Sequence, residues 1–256
     1  LIDEVKIFNL DGTFISDIQL PDMGSVGFSS QWDDTKIFYD FSSFLYPTSI
    51  FSLNLKNLQS KLYWGPNLPF HASNFTLKRE FYESKDGTLI PMFIVHKSDL
   101  KLDGQNPTYL YGYGGFNGSV TPYFSVSRLT WLELGGVLAL PAIRGGGEYG
   151  EDWHEAGMLD RKQNVFDDFI AAGEFLIETG YTSSEKLAIG GGSNGGLLVS
   201  ACMLQRPNLF SVVDCSVPVT DMLRFHKFTI GWAWVPEYGS SEDEAQFQTL
   251  IEYSPV

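Results

Sequence analysis

Ser193 carries the strongest chemical signal in the chain. It lies in Lys186-Leu-Ala-Ile-Gly-Gly-Gly-Ser-Asn-Gly-Gly-Leu-Leu-Val199. Within that run, Gly191-Gly192-Ser193-Asn194-Gly195 satisfies Gly-x-Ser-x-Gly, a nucleophile elbow between a strand and a helix. Such a turn is too tight for side chains beside the serine. Its hydroxyl stands clear of the sheet, at the positive end of a helix that favours a developing oxyanion. The same letters admit other readings. Gly190, Gly192 and Gly195 also fit the dinucleotide fingerprint, and Asp214 follows at about the spacing of a ribose-binding carboxylate. That fingerprint usually opens its domain, whereas here it comes late. Close packing of strand on helix is the bland alternative.

Three further stretches belong near such a serine. Tyr111-Gly-Tyr-Gly-Gly-Phe-Asn117 follows an apolar strand, where a loop lends a second oxyanion donor. The Tyr113 hydroxyl suits that part, and a plain turn with a packed aromatic is the alternative. Arg144-Gly-Gly-Gly-Glu-Tyr-Gly150 repeats the glycine spacing, but the acidic Glu151-Asp-Trp-His-Glu155 after it argues against phosphate. It reads as a flexible loop beside the site. Ile230-Gly-Trp-Ala-Trp234 is either core packing or one wall of a substrate pocket.

The elements that must position these residues fall into two kinds. Residues 1 to 70 read as β: Val5 to Leu10, a turn at Asp11-Gly12, then Phe14 to Leu20. Short strands follow at Ser25 to Ser29, Lys36 to Asp40, Ser49 to Leu55 and Lys61 to Trp64. Four antiparallel strands in about 40 residues is the size of one propeller blade, with a small sandwich as the alternative. From residue 71 the pattern changes. A hairpin spans Thr76 to Lys97 around Asp86-Gly87, and strands then alternate with helices. Asn164 is the expected N-cap of a helix that Gly180 stops. Pro207 ends the elbow helix, Leu209 to Val213 is the next strand, and Glu242 to Glu252 is a surface helix. The expected fold class is α/β, with parallel strands and crossover helices.

Composition sets the outer bounds. The chain has 256 residues, 43% of them hydrophobic, which is ample for a core. A formal charge of −14 argues against nucleic acid, because phosphate binding needs clustered Lys and Arg. No apolar run reaches membrane length. Cys202 and Cys215 fall in apolar runs and read as buried small hydrophobes, which points to a reducing cytoplasm. The chain opens at Leu1 without Met and stops soon after a helix-like run, so it reads as a piece of something longer.

Taken together, Gly-Gly-Ser193-Asn-Gly-Gly, Tyr111-Gly-Tyr-Gly-Gly-Phe116, Arg144-Gly-Gly-Gly-Glu-Tyr-Gly150 and Phe225-His-Lys-Phe-Thr-Ile-Gly-Trp-Ala-Trp234 closely resemble the prolyl oligopeptidase family. The resemblance implies a β-propeller, of which residues 1–70 are the end. It implies an α/β-hydrolase domain over residues 71–256, mostly parallel with helices on both faces and incomplete at its C-terminus. The implied activity is cleavage of short proline-containing peptides after proline, by a cytoplasmic enzyme, monomeric when full-length, without metal or cofactor. Ser193 would be the nucleophile, with the Tyr113 hydroxyl and the Asn194 N–H as oxyanion hole. Trp234 would stack on the proline ring, with Phe116, Val219, Ile230 and Tyr238 around it. A rigid apolar ring without an N–H suits aromatic faces. The family order is Ser, Asp, His. His226 lies too close to the elbow to be the base, and Asp214 and Asp221 read as structural. Both partners are therefore expected beyond Val256, and these residues alone are expected to be inactive and marginally foldable. The alternatives are an acylaminoacyl-peptidase or esterase relative, or a truncated non-catalytic module.

Overall fold

A computed structural model describes residues 2–256. The first strands pair locally. β1 (Val5–Phe8) and β2 (Phe14–Ile18) form a two-stranded hairpin. β3 (Ser25–Ser29), β4 (Lys36–Ser42), β5 (Ser49–Asn54) and β6 (Gln59–Trp64) form an antiparallel meander in sequence order. The alternation in β5 buries Ser49, Phe51 and Leu53 while Ile50 and Ser52 are only half-buried. Phe51 stacks on Tyr39, with ring centroids 5.2 Å apart.

The rest of the chain builds one larger sheet. β7 (Phe75–Glu83) and β8 (Leu89–Lys97) make its antiparallel end, and β9 (Thr108–Tyr111) follows. α1 (Val126–Glu133), β10 (Val137–Pro141), the single turn α2 (Glu151–Glu155) and α3 (Gln163–Glu178) come next. β11 (Leu187–Gly192), α4 (Asn194–Gln205) and β12 (Val212–Ser216) carry the glycine-rich turn. α5 (Val235–Tyr238) and α6 (Glu244–Tyr253) complete the described chain. The strand order is β12-β11-β9-β10-β8-β7. The first four of these run parallel, and β10–β8 and β8–β7 are antiparallel.

Successive side chains on a strand point to opposite faces, and the core divides accordingly. Ile90, Met92, Ile94, Val137 and Ala139 face one way, against Phe166, Phe169 and Leu176 of α3 and Leu197 and Leu198 of α4. Phe93, Val95, Leu138 and Leu140 face the other way, against Leu132 of α1 and against Phe44 and Leu45 from the meander. The sheet therefore has helices on both faces, as expected. No helix among the described residues is long and apolar enough to cross a membrane.

Three expectations need correction. The strand after α4 is Val212–Ser216 rather than Leu209 to Val213. Leu209 is buried, but its N–H closes a turn on Arg206, and pairing starts only at Val212 opposite Ala188. Cys215 is exposed, because β12 is an edge strand that leaves Val212 57% accessible too. Asn164 does not cap α3. The helix begins at Gln163, and the Asn164 amide donates to Ala156 O at 2.9 Å.

Candidate active site

β11 delivers the chain to the turn and α4 carries it away, with Ser193 between them at φ 57° and ψ −116°. An L residue pays about 1–3 kcal/mol to sit in such a region. The surroundings hold it there. Ser193 N–H donates to Ser216 O at 3.0 Å, and Ser193 O accepts from Gly196 N–H at 2.9 Å. A Cβ on Gly191 would strike Gly195, and one on Gly195 would meet Gly112 O. The turn therefore closes only with glycine at those places, and it leaves the Ser193 side chain exposed.

Asn194 opens α4, so its N–H has no carbonyl four residues back in the helix to bond. It is free to donate toward an oxygen held over Ser193. The Asn194 side chain is fixed on both sides. Its Nδ2 donates to Tyr113 O, and its Oδ1 accepts from the Tyr238 hydroxyl at 2.8 Å. The backbone after β9 thus docks on the elbow helix, bringing the Tyr113 phenol beside the Ser193 hydroxyl. Burial pushes that phenol above the ordinary tyrosine range, with Ser193 pulling the other way. It remains a proton donor at neutral pH.

Tyr113, Phe116, Ser193, Val219, Trp234 and Tyr238 line one small cavity of about 110 Å³. A helical turn at Gly231–Trp234 runs into α5, placing Trp234 and Tyr238 four residues apart on one side. The Phe116 and Tyr238 rings meet edge to face, 5.5 Å apart. Ile230 is not among these walls and is 57% exposed. Larger clefts beside the β1–β2 hairpin and beside α3 do not include Ser193.

The rival readings lose their residues to other partners. Asp214 accepts from the Tyr109 hydroxyl at 2.9 Å, and Asp221 pairs with Arg224. His226 lies 3.5 Å from Glu242, and no histidine among the described residues hydrogen-bonds to Ser193. Glu151–Glu155, expected as part of a flexible loop beside the site, is a helical turn. His154 on that turn reaches the buried Glu237 at 2.8 Å, which in turn lies 3.5 Å from the buried Lys162. Sequence reading missed this cluster. Lys162 sits in a charged run, Asp160-Arg-Lys162, that looks solvated, and nothing local pairs it with a glutamate 75 residues away.

Comparison with known proteins agrees with this geometry. Residues 122–256 match the prolyl oligopeptidase family, and residues 1–64 match the prolyl oligopeptidase N-terminal beta-propeller domain. A prolyl endopeptidase of Elizabethkingia meningoseptica is 48% identical over 257 residues, covering 100% of this chain and 36% of that protein. One from Dictyostelium discoideum is 45% identical, covering 99% and 34% respectively. A solved prolyl endopeptidase superposes with a TM-score of 0.94 at 48% identity, over 98% of this chain and 37% of that one. Prolyl oligopeptidase B of Galerina marginata, bound to a 25mer macrocyclization substrate, gives 0.95 at 37% identity, over 99% and 36%. The chain spans about a third of the length of these relatives. Strands at its start are propeller and its larger sheet is α/β-hydrolase: the chain belongs to the prolyl oligopeptidase family.

Proposed function

We propose that the protein carrying this chain is a serine peptidase that cleaves short peptides on the carboxyl side of proline. One observation supports this most: a strained, exposed Ser193 opens onto a small cavity walled by Phe116, Val219, Trp234 and Tyr238. Aromatic faces suit a pyrrolidine ring, which offers shape and no N–H. Ser193 Oγ attacks the carbonyl carbon of the proline residue, and the carbonyl oxygen gains the charge. The Tyr113 hydroxyl and the Asn194 N–H donate to that oxyanion more strongly than to the ground-state carbonyl. Collapse breaks the C–N bond as the base passes the Ser193 proton to the departing amine, leaving an ester on Ser193. Water, deprotonated by the same base, then releases the carboxylic acid and restores the Ser193 hydroxyl.

A base must take the Ser193 proton, since a hydroxyl is a weak nucleophile without one. In this reading the base is a histidine oriented by an acid, a part that no histidine among the described residues takes beside Ser193. Residues 1–70 serve as the end of a propeller and residues 71–256 as part of the hydrolase domain. The free thiols of Cys202 and Cys215 fit a reducing compartment, the cytoplasm.

Labelling with a fluorophosphonate tests the reading. Intact protein is expected to take one label, mapped to Ser193, with the reaction slowed by a peptide aldehyde ending in proline. Labelling elsewhere, or indifference to the proline aldehyde, would contradict it.

A further inference from the structure

A buried charge cluster lies behind the oxyanion loop, and the chemistry above does not use it. The Lys162 side chain is 1% exposed and that of Glu237 is 5% exposed, with Nζ and Oε1 3.5 Å apart. Both also grip the loop. Lys162 Nζ donates to Gly114 O at 3.0 Å, and Glu237 Oε1 accepts from Phe116 N–H at 3.0 Å. The peptide between the oxyanion tyrosine and the pocket wall is thus held at one carbonyl and one amide, by opposite charges. His154 Nε2 holds the other Glu237 oxygen at 2.8 Å, and Glu151 lies 3.3 Å behind His154.

The loop needs holding. Gly114, Phe116 and Asn117 all have positive φ, at 63°, 54° and 57°. Left-handed geometry is uncommon for a phenylalanine, so the segment would relax if released. The cluster also reaches the second wall. The Lys162 ammonium lies 5.3 Å from the Tyr238 ring centroid, and the Tyr238 hydroxyl fixes Asn194. A buried ion pair contributes little net stability, because desolvation cancels much of its attraction. Its contacts here are made to the backbone that aims Tyr113 and Phe116.

We propose that Lys162 and Glu237 are positioning residues, a single buried ion pair that sets the Tyr113–Phe116 segment and so couples the oxyanion donor to the proline pocket, with His154 orienting Glu237. The kinetic consequence rests on the peptidase reading; the structural consequence does not. Burial pushes Lys162 down to about 8, opposed by Glu237. The groups facing the pair are His154 with Glu151 behind it, and the phenols of Tyr113, Tyr238 and Tyr253.

Removing one partner strands a charge and can unfold the protein. The decisive variant is therefore Lys162→Met combined with Glu237→Gln, which leaves no buried charge unpaired. In the intact protein we expect kcat/KM on a proline peptide to fall about 10- to 100-fold, carried by kcat, with the thermal midpoint near that of the parent. The parent should show an alkaline limb with an apparent pKa near 8, absent from the variant. Hydrogen exchange of amides 112–118, which needs no substrate, should speed up about tenfold or more. Unchanged exchange in that segment would overturn the proposal, as would kcat/KM within about twofold of the parent in a protein that cleaves proline peptides. If the parent cleaves none, the peptidase reading fails, and the exchange result still decides this one.

Discussion

Ser193 keeps its unfavourable angles because its N–H, its carbonyl and the glycines around it are all committed elsewhere. Strain of that kind is released by a residue without a Cβ. Ser193→Gly should raise the unfolding free energy from denaturant titration by about 1 kcal/mol, after the entropy that glycine adds to the unfolded chain. Ser193→Ala, which keeps the strain, should not. At the same scale, Lys162 sets a sign that separates function from stability. Its ammonium has a folded pKa of about 8, lowered by burial from the 10.5 of an exposed lysine. Between those values the unfolded chain holds more protons, so this group makes stability rise with pH. The ion pair is meanwhile lost. Activity should therefore fall with an apparent pKa near 8 while the thermal midpoint does not fall in step. His154, raised by Glu237 and Glu151 against the cost of burial, acts in a lower window. Its contribution is complete below the ordinary histidine value and is lost as pH climbs through the raised one. Ser193 and Tyr113 stood out because glycines surround them in short runs, whereas Trp234 was core or pocket wall until the resemblance was drawn; the fold brings all three to one cavity. Lys162 and Glu237 did not stand out, because a buried charge looks like a surface one until the chain folds over it.

At the scale of elements, the elbow motif separates into glycines that are required and one that is not. Gly195 has the backbone oxygen of Gly112 where its Cβ would lie, and backbone cannot yield as a side chain can. Gly192 has only Ser216 atoms near, at 3.7 Å and beyond. Gly195→Ala should cost about 1–3 kcal/mol and slow labelling of Ser193. Gly192→Ala should fold and react like the parent. Paired urea unfolding and fluorophosphonate kinetics check both. In the antiparallel hairpin the second strand matches the expected Leu89–Lys97 and the first is one residue longer at each end than Thr76 to Tyr82, with the Asp86-Gly87 turn fixing the pairing. β12 was misplaced by three residues, since Leu209-Phe-Ser-Val-Val213 is apolar at every position but Ser211 and gives no alternation from which to read register. The cap of α3 failed for a different reason. Asn164 has the right chemistry, but its amide is already engaged with Ala156, and the helix starts without it.

On the scale of the whole molecule, two sheets of different origin share a core. Phe44 of the meander is 3% exposed and packs on Phe93 of the hydrolase sheet, with ring centroids 5.4 Å apart. Phe44→Ala should lower stability by about 3–5 kcal/mol while leaving the rate of Ser193 labelling unchanged, because the opposite face of the sheet carries the site. Differential scanning calorimetry alongside labelling kinetics would show whether the two separate. The order of β and α/β halves was legible from the change in pattern near residue 70, since periodicity changes where the sheet type changes. The contact between the halves was not, as Phe44 and Leu45 sit in a turn where no periodicity aims them. Both scales meet in the proposed chemistry, attack by Ser193 on peptides presented by a proline in the Trp234 cavity. Its most direct test is kcat/KM of the intact protein on a matched pair of short peptides, with proline or alanine before the scissile bond. The account predicts a preference for proline of about 100-fold or more, abolished with all turnover by Ser193→Ala. Equal rates on the two peptides, or cleavage that survives Ser193→Ala, would contradict it.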